Sequence, residues 1–214
     1  LDEDTELELR EFISNRNGFS AEELLLNKDV SREDVDALLR VSELFGSYEV
    51  LDDAMENANN EQSRAAIERL RSIYEVLKLY GVERYVSFDL AMISKYHYYT
   101  GVIFNAYQSG SAIAKGGRYD NLLARFGKPS PATGFVVVID DLMNAMTRQK
   151  ICPSPSNRNL LLVYDCTLQK AIKAAEEYRA QGFSTVLMHQ EKDAEMYEKF
   201  AKYNNFAQIK FLGE

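Results

Sequence analysis

The chain has 214 residues, 46% of them hydrophobic and 27% charged, which is enough for one or two soluble globular domains with a proper core. Its formal net charge of −8 works against a nonspecific grip on nucleic acid, which needs clustered Lys and Arg, so no nucleic-acid partner is expected. The longest apolar runs, such as Gly134 to Ile139, are far too short to cross a bilayer.

Five of the first eight residues are acidic and the first is Leu1, so the chain is expected to begin partway through a longer product. No basic leader precedes an apolar stretch, and a cytoplasmic protein is expected. Residues 1–81 read as helical. Ser20 to Glu23 and Ser31 to Asp34 each match a hydroxyl that caps a helix, answered by an acid three residues later. Asn17-Gly18 is a turn signal before the first of them. Ile67, Leu70, Tyr74 and Leu77 recur at helical spacing, widened by Ile73, Val76 and Tyr80, and Gly81 suits the stop. Such a stripe is packing surface, not a ligand site.

From Val82 the period changes. Val86, Phe88, Leu90 and Met92 alternate with Tyr85, Ser87, Asp89 and Ala91, which predicts a strand with one face inward. Further strands are expected at Val102 to Tyr107, Ala112 to Lys115 and Thr133 to Ile139, antiparallel across Gly-rich breaks. Asn121 to Phe126 and Asp141 to Arg148 suit short helices. Ile151 to Asn159, with Pro153 and Pro155, is the clearest linker. Beyond it strand, helix, strand, helix, strand alternate over 160–164, 168–181, 183–188, 194–203 and 207–212. Thr167 caps the first helix and Gly182 ends it, which implies a small parallel α/β sheet. Cys152 and Cys166 lack CxxC spacing and read as reduced thiols. His97 and His189 have no partners at metal-ligand spacing, so no metal is expected.

Two runs carry chemistry: Lys95-Tyr96-His97-Tyr98-Tyr99-Thr100-Gly101, and Lys115-Gly116-Gly117-Arg118-Tyr119-Asp120. Tyr98 and Tyr99 bring phenols on rigid rings that can stack and can donate or accept hydrogen bonds. They could equally be core, and as neighbours on a strand they should face opposite sides. Gly116 and Gly117, like Thr100-Gly101, suit a sheet floor that backbone or ligand approaches closely; a bulge or turn is the alternative. Arg118 reads as a structural ion-pair partner of Asp120. Asp140-Asp141 reads as a capping, solvated pair. No phosphate-cradling loop, Gly-x-Ser-x-Gly elbow or dinucleotide fingerprint is found.

Together the two runs resemble the histidine-binding signature of histidyl-tRNA synthetases, with the arginines gone. Where that pattern reads Arg-Gly-Leu-Asp-Tyr-Tyr-Thr-Gly, this chain has Ser94 for the arginine, Lys95 for the glycine and His97 for the aspartate. Where the last class II motif reads Gly-Phe-Ala-Ile-Gly-Leu-Glu-Arg-Leu, Gly134 to Leu142 puts Asp141 at the second arginine. A unit charge about 4 Å from a like one costs roughly 4 kcal/mol at an effective dielectric near 20, close to a thousandfold in rate. An anionic triphosphate beside Asp141 would meet that penalty.

The chain therefore resembles the regulatory subunit of ATP phosphoribosyltransferase, a family that looks like catalytically dead histidyl-tRNA synthetases. The likeness is strongest over Val82 to Arg148 and moderate over Arg158 to Glu214. It implies an α+β fold: a class II aminoacyl-tRNA synthetase-like antiparallel sheet with a helical insertion, followed by a small α/β domain. The expected organisation is a helical insertion region at 1–81, a catalytic-core remnant at 82–150, a linker at 151–159 and a shortened anticodon-binding-like domain at 160–214. It implies histidine bound by Tyr98, Tyr99, Thr100, Gly101, Gly116 and Gly117, with Tyr98 foremost; Lys95 would partly replace the lost positive charge. It implies no catalytic residue and no cofactor. The implied partner is a short catalytic subunit, in a homo-oligomer within a hetero-oligomer, with histidine as allosteric inhibitor of the first step of histidine biosynthesis. The alternative is a divergent histidyl-tRNA synthetase or other amino-acid activating enzyme.

Overall fold

The computed structural model describes residues 1–94, 96, 98–152 and 158–213. They form two compact units, Leu1–Lys150 and Ile151–Glu214.

The first unit opens with three short helices, α1 (Glu3–Ser14), α2 (Gly18–Asn27) and α3 (Arg32–Glu43). Each begins where a side chain takes an orphan backbone donor. Asp2 accepts from the Thr5 backbone N–H at 2.9 Å and from its hydroxyl at 2.8 Å. Ser31 accepts from the Asp34 N–H at 3.2 Å while its hydroxyl donates to the Asp34 carboxylate at 2.6 Å, as the spacing predicts. The α2 cap differs from expectation. Asn17, not Ser20, caps it by accepting from the Ser20 N–H at 3.2 Å, so the turn signal is itself the helix start. Leu9, Ile13, Ala21, Leu25 and Val35 bury one core among these helices, and Ala91 from far along the chain completes it.

Helices α4 (Val50–Asn57) and α5 (Glu61–Leu79) build a second core around Leu51, Ala54, Ala58, Ile67 and Phe88. Asn60 caps α5, and Gly81 leaves it at φ 63°, a conformation that glycine adopts without steric penalty. The expected stripe packs here: Ile67 is buried, and the Tyr74 ring lies 4.8 Å from Tyr48 and 5.9 Å from Phe88.

The strand expected from the alternation over 85–92 is not formed as such. Glu83–Tyr85 is a 3-10 turn, and pairing shrinks to two residues, β2 (Phe88–Asp89) against β1 (Phe45–Gly46). Val86, Phe88 and Leu90 pack on the second helical core, but Ala91, of the opposite set, is buried in the first, so the segment packs between two helical cores and not as a one-faced sheet ladder. An ion pair at 2.7 Å from Arg16 to Asp89 fastens this segment to the end of α1.

A three-stranded antiparallel sheet follows, in the order β3 (Ile103–Gln108), β4 (Ser111–Arg118), β5 (Thr133–Val137), as the Gly-rich breaks imply. Its register aligns Ile103, Gly117 and Gly134 in one row and Phe104, Gly116 and Phe135 in the next. Residues on adjacent rows face opposite sides of the sheet. The helix expected at 121–126 is only a 3-10 turn, Leu123–Phe126, which Gly127 ends at φ 78°. Helix α6 (Ile139–Arg148) follows β5 directly.

The second unit is a parallel sheet in the order β7 (Ser184–His189), β6 (Asn159–Tyr164), β8 (Gln208–Leu212), connected by α7 (Leu168–Ala180) and α8 (Ala194–Tyr203). The central run Leu160 to Val163 is completely or almost completely buried, as a strand covered on both faces must be. Thr167 caps α7 and Gly182 terminates it at φ 86°, both as expected.

Candidate functional site

A cleft of about 450 Å³ opens beside the tyrosine run in the first unit. One wall is the strip Met92, Ile93, Ser94, Tyr96, Tyr99, Gly101 and Ile103; the other is Glu3, Glu6, Leu7 and Arg10 of α1. The volume lies within the range of small-molecule sites. Helical periodicity makes the second wall: residues 3, 6, 7 and 10 share a face, while Thr5, Leu9 and Ile13 turn to the core. The docking of Ala91 and Ile93 on the first helical core brings the two walls together.

The floor explains the glycines. A Cβ on Gly117 would stand 2.7 Å from the Tyr99 ring and 2.8 Å from the Val102 carbonyl. The Tyr99 ring therefore occupies the space where a side chain would be. In the same row, a Cβ on Gly134 would meet the Tyr119 hydroxyl at 2.6 Å. Gly116 faces the other side, where a Cβ would strike the Gly134 carbonyl, Phe135 at 2.6 Å and Phe104 at 2.8 Å. The pair is regular strand; the register irregularity of this sheet lies at Ala106/Tyr107 instead.

The two tyrosines do not face opposite sides. Neither lies in a strand, and their ring centroids are 4.5 Å apart. Tyr98 also packs against Tyr96 at 5.6 Å and edge-on against Tyr119 at 5.7 Å. Tyr99 and Tyr96 line the cleft; Tyr98 does not, but its ring contacts both. The Tyr99 phenol is pushed up to about 12, first by its hydrogen bond with Tyr98, then by burial and the neighbouring phenols.

Thr100 is a brace. Its backbone N–H donates to the Arg118 carbonyl at 2.9 Å, and its hydroxyl accepts from the Asp120 N–H at 2.9 Å. Arg118 reaches both Asp120 carboxylate oxygens at 2.9 and 3.0 Å, the structural pair that the sequence suggests. Ser94 stands in the cleft wall, its hydroxyl accepting from the Tyr96 N–H at 3.0 Å. Asp141 stands on the first turn of α6 and does not line the cleft. Lys95 and His97 lie outside the described residues. Sequence reasoning missed the α1 wall, whose 3, 6, 7, 10 spacing was visible, and Tyr96, which lies inside the quoted run but was not among its candidate ligand contacts.

Chemically the cleft offers two tyrosine rings with their phenols, a serine and two carboxylates. Its single cation among the described residues, Arg10, is already taken by Glu6 at 2.6 Å. Among the described residues no group of three or more His, Cys, Asp or Glu could hold a metal ion, and no helix is long and apolar enough to cross a membrane.

A model of the histidyl-tRNA synthetase family matches residues 1–142. The chain is 32% identical over 213 residues to an ATP phosphoribosyltransferase regulatory subunit of Clostridium botulinum, covering 96% of this chain and 50% of that one. It is 35% identical over 215 residues to the protein of the same name in Acetivibrio thermocellus, covering 99% and 50%. A crystal structure described as an ATP phosphoribosyltransferase regulatory subunit/histidyl-tRNA synthetase from Bacillus halodurans superposes with TM-score 0.59 at 29% identity, covering 97% of this chain and 52% of that one. The chain thus spans about half the length of the curated relatives it matches.

Proposed function

The chain belongs to the histidyl-tRNA synthetase family, and from that premise we propose that it is part of a non-catalytic regulatory subunit of an ATP phosphoribosyltransferase. Its helices, antiparallel sheet and small α/β unit make a class II aminoacyl-tRNA synthetase-like fold. In this reading the cleft holds histidine and the chemistry belongs to a separate short catalytic subunit. Tyr99 and Gly101 meet the ligand; Tyr98, Thr100 and Gly117 hold Tyr99 and the cleft edge in place; Gly116 lets the far side of the sheet close.

The observation that carries the reading is Ser94 in the wall beside Tyr99, where the synthetase pattern has an arginine. With Arg10 spent on Glu6, the described lining has no unpaired cation to meet a triphosphate. Amino-acid activation depends on such charge to stabilise phosphoryl and pyrophosphate oxygens in the transition state. Asp141, at the position of the second lost arginine, stands on the first turn of α6 outside the cleft lining.

Feedback inhibition then follows if histidine binds the inactive assembly more tightly than the active one. Titrating the complex of whole protein and catalytic subunit with histidine should show weaker binding when the transferase substrates are present. Histidine-dependent exchange of pyrophosphate into ATP should be absent from the whole protein. Exchange at an ordinary synthetase turnover would instead establish the alternative, a divergent histidyl-tRNA synthetase, which the family match by itself also accommodates.

A further inference from the structure

Arg16 joins the two walls of the cleft at their roots. It directly follows α1, the helix of one wall. There the Asn17 N–H donates to the Phe12 carbonyl at 2.8 Å and the Arg16 N–H to the Ile13 carbonyl at 3.0 Å, the paired bonds that close a helix around a left-handed residue. Arg16 is that residue, at φ 57°. Its side chain then reaches two other elements. One terminal nitrogen donates at 3.2 Å to the Ser42 carbonyl, in the last turn of α3, where helix carbonyls lack an intrahelical partner. The other lies 2.7 Å from Asp89 Oδ1. That same oxygen accepts from the Ala91 N–H at 3.0 Å, and the Asp89 carbonyl accepts from the Met92 N–H at 3.2 Å. This side-chain turn delivers Ala91 into the first helical core and Met92, Ile93 and Ser94 into the opposite wall.

The backbone does not ask for arginine here. A left-handed residue after a helix is most easily glycine, as Gly81 and Gly182 are in this chain. Both partners of the Arg16–Asp89 pair are partly exposed, and a surface ion pair by itself adds little stability. What the side chain supplies is geometry: one guanidinium fixes the end of α1, the end of α3 and the turn that opens the other wall. We propose that Arg16 is a positioning residue that sets the separation of the α1 wall from the strip at 92–94, and through it the affinity of the cleft for its ligand. Arg16 is not part of the cleft lining and acts through these elements. The effect on affinity rests on the reading of the cleft as a histidine site; the effect on spacing does not.

Arg16→Gly separates this role from plain stabilisation, because it removes the guanidinium and relieves the left-handed backbone at once. In the 214-residue chain it should leave the urea midpoint of the first unit unchanged or raised, yet weaken histidine about fivefold in a calorimetric titration. Arg16→Lys keeps a cation for Asp89 and should recover most of that loss. Asp89→Asn should also weaken histidine, and the double variant should be no worse than the more impaired single one, since both break one contact. Arg32→Ala removes an arginine paired with Glu22 and Asp36 in the same helices and should change neither affinity nor spacing. Wall spacing is read without ligand from nitroxide labels at Leu7→Cys and Ser94→Cys, with Cys152→Ser and Cys166→Ser to remove the native thiols. The spin–spin distance distribution should be narrow, broaden in Arg16→Gly and stay narrow in Arg16→Lys. If Arg16→Gly lowers the urea midpoint while affinity and label distance hold, Arg16 only staples the surface; the inference is then wrong and the histidine site survives. If the unmodified chain binds no histidine but the label distances still broaden in Arg16→Gly, the histidine reading fails and the positioning role stands.

Discussion

Tyr99 concentrates the physics of the site in one residue: it lines the cleft, fills the space beside Gly117 and packs its ring 4.5 Å from that of Tyr98. Its phenol titrates near 12 instead of the ordinary 10.0. A phenol held protonated longer in the folded than in the unfolded chain contributes stability that is intact below pH 10 and is lost as pH rises towards 12. In an ultraviolet tyrosinate titration one of the thirteen tyrosines should therefore ionise last, and Tyr99→Phe should remove that final step. Gly117→Ala offers a second test. The added methyl must displace the Tyr99 ring or the Val102 carbonyl, and overpacking of this kind costs about 1–3 kcal/mol. Denaturant unfolding should show that loss, and histidine affinity should fall in parallel. The motif spacing made Tyr99 and Gly117 legible as candidates. That one fills the space left by the other was not, because the contact joins residues that the sequence presents only as two separate runs.

Among elements, the helices were the most readable and the segment after them the least. Caps and apolar stripes are local, so Ser31, Thr167 and the α5 stripe could be placed from nearby residues alone. Asn60 is a clean case: its side chain accepts from the Ser63 N–H at 2.8 Å at an exposed position. Asn60→Ala should destabilise the first unit by about 1 kcal/mol in a chemical denaturation curve, with no change at the cleft. The alternation over 85–92 misled because side chains of both sets are buried: Val86, Phe88 and Leu90 pack on one helical core and Ala91 on the other. Here Phe88 and Ala91 are buried against two helical cores, and β1 pairs with only two residues of the segment.

For the whole molecule, the division at Lys150/Ile151 gives each unit its own core. The second is built on Leu161 and Val163 with Tyr197 and Ala201 of α8. Leu161 is fully buried, and truncating such a side chain costs about 2–5 kcal/mol. Scanning calorimetry should resolve two transitions, and Leu161→Ala should lower one while leaving the other in place. Stabilisation by histidine should appear in the transition that Leu161→Ala leaves unchanged. By itself the sequence determined the starts of α3 and α7, the stops at Gly81 and Gly182, the antiparallel and parallel pairings and the two tyrosine and glycine runs. Each of these is written in periodicities and caps a few residues apart. Tertiary structure alone decided that Tyr99 rather than Tyr98 meets the cleft and that α1 is its second wall. Those outcomes depend on contacts that local patterns do not encode: the burial of Ala91 against α1 residues more than seventy positions earlier, and the contact of the Tyr99 ring with Gly117 in the other run.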